Sequence, residues 1–200
     1  MDANLEREAA SPDDEVTSDH PGAETRWTCR VEPLGGRRYA LRLSGSLHVS
    51  WAGRLAAGLA ARHVSVVRVR ARRGDDDWAA DVELDVLDAS VEPSAIDFIA
   101  LMQEEPAPDH TVPRVSITSF DVSASAQELV VELRARDVVG FLEAILRLFA
   151  VHALYAHEMR VETRGADVHD VFHLRNLTGR TPSPAVAAAL RRGLEKLVPR

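Results

Sequence analysis

The run Asp137-Val-Val-Gly-Phe-Leu142 places one glycine where an alternating, extended segment gives way to a helical one. Such a junction can hold an anion without a charged side chain. The first N–H groups of a helix have no intrahelical partner. They also carry the positive end of the helix dipole, and a residue without Cβ lets a ligand come close to the backbone. The chemistry open to such a loop is recognition of an anion rather than its conversion. At a helix start with negative φ, Gly140→Val is expected to leave stability near normal.

The remaining candidates for chemistry are weaker. His169 and His173 lie four apart in an extended segment, which separates them by about 13 Å at the rise of a strand, too far to share a metal ion. His152 and His157 are not placed to complete a ligand set, so no metal site is expected. Cys29 is the one cysteine. It can form no intrachain disulfide, which fits a reducing, cytoplasmic setting, and it has no evident base to activate it. Arg73–Asp77, "RGDDD", reads as a charged hairpin turn. The "SGS" of Ser44–Ser46 lacks the lysine and glycine spacing of a phosphate loop. Arg191, Arg192 and Lys196 fall on the exposed side of the last helix. No triad or paired-acid constellation is present, so neither catalysis nor a cofactor is expected.

The elements that must position the glycine loop occur twice. Sliding the chain by 90 residues lays Ser50 on Gly140, Leu55 on Ile145 and Leu59 on Phe149, and the apolar patterns agree better than the identities. A repeat of this length is a duplicated domain. In the second copy, Arg114–Ser119 and Glu128–Arg136 alternate as strands do. Phe141, Leu142, Ile145, Leu148 and Phe149 form one helical stripe. Ala153–Thr163 and Asp167–Leu174 read as strands around a turn whose glycine, Gly165, suits a tight hairpin. The final helix starts with Ser183 as cap and Pro184 in the first position. Val186, Leu190, Leu194 and Leu197 form its buried stripe. The first copy repeats the order with strands at Trp27–Glu32, Arg38–Leu43, Val64–Arg72 and Trp78–Leu87, and helices at Trp51–Arg62 and Ser94–Met102.

Each unit therefore reads as β-β-α-β-β-α. The fold class expected is α+β: two ferredoxin-like units, each a four-stranded antiparallel sheet with two helices on one face. Residues 26–103 form the first unit, 104–113 a linker and 114–200 the second. Alternation sends Met159, Val161, Val168, Phe172 and Leu174 inward, and Arg68, Arg70, Arg72, Asp81, Glu83 and Asp85 outward. The outer faces are thus charged, with exposed ion pairs worth about 0–1 kcal/mol each. The edge strands carry unpaired backbone groups, which proteins usually cover or pair. The two units are expected to pack on each other or on a second chain, and a homodimer is expected.

Residues 1–25 contain eight acids and one base. They account for the whole net charge of −7 and have no apolar periodicity, so this stretch reads as a disordered acidic tail. It has neither the basic start nor the apolar run of a signal peptide. No stretch approaches 18 apolar residues, so no membrane span is expected. A near-neutral remainder argues against nucleic acid as a partner.

The segment from Leu129 to Pro184 resembles an ACT domain, of the type found in tandem at the C-terminus of the bacterial uridylyltransferase/uridylyl-removing enzyme. The family pattern runs D-R-P-G-L-L, a helix, L-N-I-x-x-A-R-I, a turn, D-V-F-x-V and a G-R-P-L-like turn. Asp137, Gly140, Phe141, Leu142, His157, Arg160, Asp170, Val171, Phe172, Gly179 and Arg180 fit it. The likeness covers about residues 112–198; residues 26–106 match in pattern only. Val138 and Val139 stand in place of the family's Arg-Pro, and Tyr155 in place of its Asn. In the first unit Ser50 occupies the glycine position and no acid leads the loop.

The resemblance implies an amino-acid ligand held between the glycine loop and the next domain's strand. The implied ligand-binding set is Asp137, Val138, Val139, Gly140, Phe141, Leu142, Tyr155 and Ala156. It implies a non-catalytic regulatory protein that senses an amino acid or similar small molecule and signals to a protein partner. The alternative is a degenerate pair that serves only protein–protein assembly. The two loops are expected to differ, with the second, glycine-bearing one the better site.

Overall fold

The structure is a computed structural model, and it describes residues 27–75, 77–105 and 111–199. The acidic tail of residues 1–25 and residues 106–110 of the linker lie outside the described residues. Strands β1 (Trp27–Gly35) and β2 (Arg38–Gly45) precede helix α1 (Trp51–Ala60), followed by β3 (Val64–Arg73) and β4 (Trp78–Val86). A 3-10 turn at Pro93–Ala95 leads into α2 (Phe98–Gln103). The second half runs β5 (Ile117–Ala124), β6 (Leu129–Arg136), α3 (Phe141–Val151), β7 (Leu154–Arg164), β8 (Asp167–Asn176) and α4 (Pro184–Glu195).

The 90-residue period is carried into the backbone. α1 begins at Trp51 and α3 at Phe141; β3 begins at Val64 and β7 at Leu154. A bulge between Val66 and Arg68 recurs between Ala156 and Glu158. His63 and Ala153, the residues leading into β3 and β7, both have positive φ, 53° and 54°.

The expectation of two separate four-stranded units is overturned. All eight strands form one antiparallel sheet in the order β1-β2-β4-β3-β7-β8-β6-β5. The join is β3 against β7. Each would otherwise be an edge with unsatisfied N–H and C=O groups, and pairing them satisfies both at once. The register there is itself nearly twofold: Arg70 faces Arg160, Arg68 faces Glu162 and Arg72 faces Glu158. The core is likewise continuous. Buried side chains from both halves, from Leu41 to Leu194, form one cluster. It includes two edge-to-face aromatic pairs, Trp51–Trp78 at 5.6 Å and Phe149–Phe172 at 5.1 Å.

The helix expected over Ser94–Met102 is shorter than its pattern suggests. Ile96 is extended, and the cap is Asp97, whose carboxylate accepts from the Ile99 and Ala100 N–H groups. α4 starts as expected, with Ser183 Oγ accepting from the Val186 N–H at 3.4 Å and Leu190 and Leu194 fully buried. The Gly165 turn pairs Arg164 with Asp167, and Gly165 has φ of 64°. β3 departs from strict alternation at its bulge, where Val67 is only half-buried.

Candidate functional site

The joining of β3 to β7 brings each half's loop against the other half. Loop 137–142 meets the start of β3, and loop 48–54 meets the start of β7. Two cavities related by the repeat result, and they differ greatly.

At the second loop, Asp137, Val138, Gly140, Phe141 and Leu142 line a cavity of about 20 Å³, closed by Val64, Ser65 and Val66 of β3. That volume holds a water molecule and not an amino acid. Val139 is not among its lining residues. Gly140 caps α3 with φ of 82°, in the left-handed region. A Cβ there would lie 2.6 Å from Pro113 Cγ and 3.5 Å from Ala60 Cβ. The expectation that Gly140→Val leaves stability intact is therefore wrong on two counts: a side chain is strained at this φ, and Pro113 occupies the space.

The same cavity holds a buried acid. Asp170 is fully buried on β8. Its Oδ1 accepts from the Glu162 N–H at 3.2 Å, and its Oδ2 has no hydrogen-bond partner. Burial raises its pKa to about 7, opposed by the Glu162 hydrogen bond and reinforced by the negative charge of Asp137. Burial also pushes the Asp137 carboxyl up, against a hydrogen bond from the Val138 backbone. A buried carboxyl with an unpartnered oxygen resists ionising. The sequence shows Asp170 only as part of a motif, although alternation between Val168 and Phe172 directs it inward.

At the first loop the cavity is about 570 Å³, within the range of small-molecule sites. Tyr155 and Ala156, the two predicted site residues outside the glycine loop, line this groove and not the smaller one. Its apolar wall includes Ala52, Gly53 and Ala57 from α1, Leu146, Phe149 and Ala150 from α3, and Leu154 and Met159 from β7. Its polar groups include His48, Ser50, Arg54, Glu105, Glu143 and Arg147. Small residues open it: Gly53 and Ala57, both lining the groove, stand where the second half has Glu143 and Arg147. Ser50, in place of the glycine, has ordinary backbone with φ of −91° and shares a 2.7 Å hydrogen bond between Oγ and His48 Nδ1. The Tyr155 hydroxyl accepts from Arg73 Nη1 at 3.2 Å, which fixes one wall.

Residues the sequence offered for other chemistry stand apart. Burial, with Asp97 nearby, raises the Cys29 thiol to about 11, so it is not a thiolate at neutral pH. His169 and His173 each take a separate glutamate, Glu132 at 2.8 Å and Glu128 at 2.9 Å. Among the described residues no group of three metal-ligating side chains converges. Among them, too, no helix is long and apolar enough to cross a membrane.

No family model matches the chain, and no curated protein matches it. A crystal structure of an unknown protein from Galdieria sulphuraria is similar at 14% identity, over 80% of this chain and 92% of that one, with a TM-score of 0.30. A likeness of that degree carries no argument about fold or function. The ACT likeness thus stays a resemblance of residues.

Proposed function

We propose that this is a non-catalytic regulatory protein that binds an amino acid or similar small molecule in the groove between loop 48–54 and β7, and signals to a protein partner in the cytoplasm. The observation that carries this reading is the groove itself: about 570 Å³, apolar on its walls, with Arg54 and Arg147 among its lining residues. An apolar cleft with a few placed polar groups is the usual form of a small-molecule site. The ACT resemblance of residues 112–198 supports the amino-acid class and places the ligand at a loop–strand junction. The groove is such a junction, but in the half whose loop lacks the glycine.

The test is thermal melting against the twenty amino acids, with Ala150→Trp as control. Ala150 is exposed on α3 and lines the groove, so an indole there fills the cavity at little cost to the fold. A ligand selective for the folded state raises the melting temperature with concentration. The expected result is a rise in wild type that Ala150→Trp abolishes. If no amino acid moves the wild-type melting temperature, the amino-acid reading fails.

Assembly without a ligand is the second reading. It is favoured by Leu177, 63% exposed on the groove, and Val151, 74% exposed at the end of α3. Exposed apolar residues at a cleft suit a docking chain, including a second copy of this one. Light scattering distinguishes it: a dimer that Ala150→Trp dissociates, with no response to amino acids, is what that reading requires.

A further inference from the structure

We infer that the groove selects ligands bearing a carboxylate, and that Glu105 is a built-in competitor for the position that carboxylate takes. The inference rests on the small-molecule reading above and adds its ligand class and its regulation.

Arg54 projects from α1 with its side chain only 19% exposed. Its Nη1 donates to the Gln103 carbonyl at 2.5 Å, an anchor at the end of α2. Its Nη2 donates to Glu105 Oε1. Its Nε is buried and has no hydrogen-bond partner. Nε and Nη2 form one edge of the guanidinium, the edge that a carboxylate grips with two parallel bonds. Glu105 uses half of that edge and leaves the buried Nε–H unsatisfied, which is costly. Glu105 is itself 78% exposed, so little holds it in place besides Arg54.

A free carboxylate entering the groove can take both Nε and Nη2. It gains the hydrogen bond that Glu105 does not make, and the apolar wall at Leu146 and Met159 receives the body of the molecule. Glu105 then leaves Arg54. Glu105 lies just beyond Gln103, the last residue of α2, so its release removes one of the two bonds by which Arg54 ties α1 to the end of α2. Ligand occupancy is thereby converted into a change outside the groove.

The experiment compares full-length wild type, Glu105→Gln and Arg54→Lys by calorimetry. The probes are the twenty amino acids, hexanoate and hexylamine. Glutamine keeps the size of Glu105 and removes its charge, at an exposed position where folding is not at risk. The expected result is a carboxylate probe that binds wild type and binds Glu105→Gln ~5-fold tighter, the factor an exposed ion pair supplies, with no binding of hexylamine. Arg54→Lys keeps the charge but loses the two-bond edge, and is expected to bind that probe ~10-fold more weakly than wild type. Equal or weaker binding by Glu105→Gln overturns the competitor while leaving the groove a site. Binding of hexylamine, or unchanged binding by Arg54→Lys, overturns the carboxylate class. If no probe binds any of the three proteins, the small-molecule reading fails and this inference fails with it.

Discussion

Loops 47–53 and 137–143 occupy equivalent places in the repeat, yet one borders an open groove and the other a cavity with room for a water. The glycine marks the closed one. Gly140 holds a left-handed φ and admits Pro113 against its Cα face, so its demands are met by backbone geometry and packing. The open loop needs no glycine at its cap, because Ser50 has ordinary backbone. What opens the groove is the smallness of Gly53 and Ala57 on α1. A glycine at a helix start is thus a statement about backbone first, and the space for a ligand is set by the residues a turn further on.

The largest expected difference between the two halves lies at Asp170, whose counterpart in the first half is Ala80. The folded-state pKa is raised from 3.8 to about 7, so between those values the native protein holds a proton that the unfolded chain has lost. Stability contributed by this group is full below 3.8, falls as pH rises toward 7, and is flat above. The fall amounts to ~1.4 kcal/mol per pH unit at most, several kcal/mol across the window. His157 pulls the other way below 6.5, its pKa lowered by burial and by Arg175. Asp170→Asn removes the acid's share alone. Urea unfolding at a series of pH values should show Asp170→Asn more stable than wild type above pH 7, with the difference vanishing in acid. An unchanged profile would mean that Asp170 is hydrated.

The next effect is at the loop caps. Gly140→Val should cost about 3 kcal/mol, from the left-handed φ and the overlap with Pro113. Ser50→Val, at the equivalent position, should cost about 1 kcal/mol or less. Equal losses in denaturant midpoint would show the loops to be alike after all. Third, an amino acid at a hundredfold excess over its dissociation constant should stabilise wild type by about 2.7 kcal/mol, and this response should vanish in Ala150→Trp. A response that survives would move the site away from the first loop. The smallest effect lies at the seam, where Arg70 and Arg160 face each other on the exposed side of the sheet. Arg160→Glu should stabilise by about 0.5 kcal/mol, less at high salt. A loss instead would argue that β3 and β7 are not so paired.

Much of this architecture is visible in the chain before any tertiary contact is known. Alternation and the Gly165 turn set the β7–β8 register, and the apolar stripe on Phe141–Phe149 gives α3. The motif residues Asp137 and Asp170 meet at one cavity, although neither spacing nor pattern tells that the cavity is nearly filled. The groove was harder to read. Arg54 and Glu105 lie 51 residues apart, and nothing in either segment's local pattern names the other as partner. Ala52, Gly53 and Ala57 read as ordinary small helix residues until α3 is set opposite them.

Local periodicity and turn chemistry account for the elements, their 90-residue repetition and, away from the bulge in β3, which side of a strand faces the core. The joining of two four-stranded halves into one sheet is a matter of long-range pairing. An edge strand's backbone groups will pair with any partner of matching register, and only the assembled chain selects β7 for β3. The assembled chain also decides which loop is open. Cavity volume is the difference between two packed surfaces, and each surface is written in a different half of the chain.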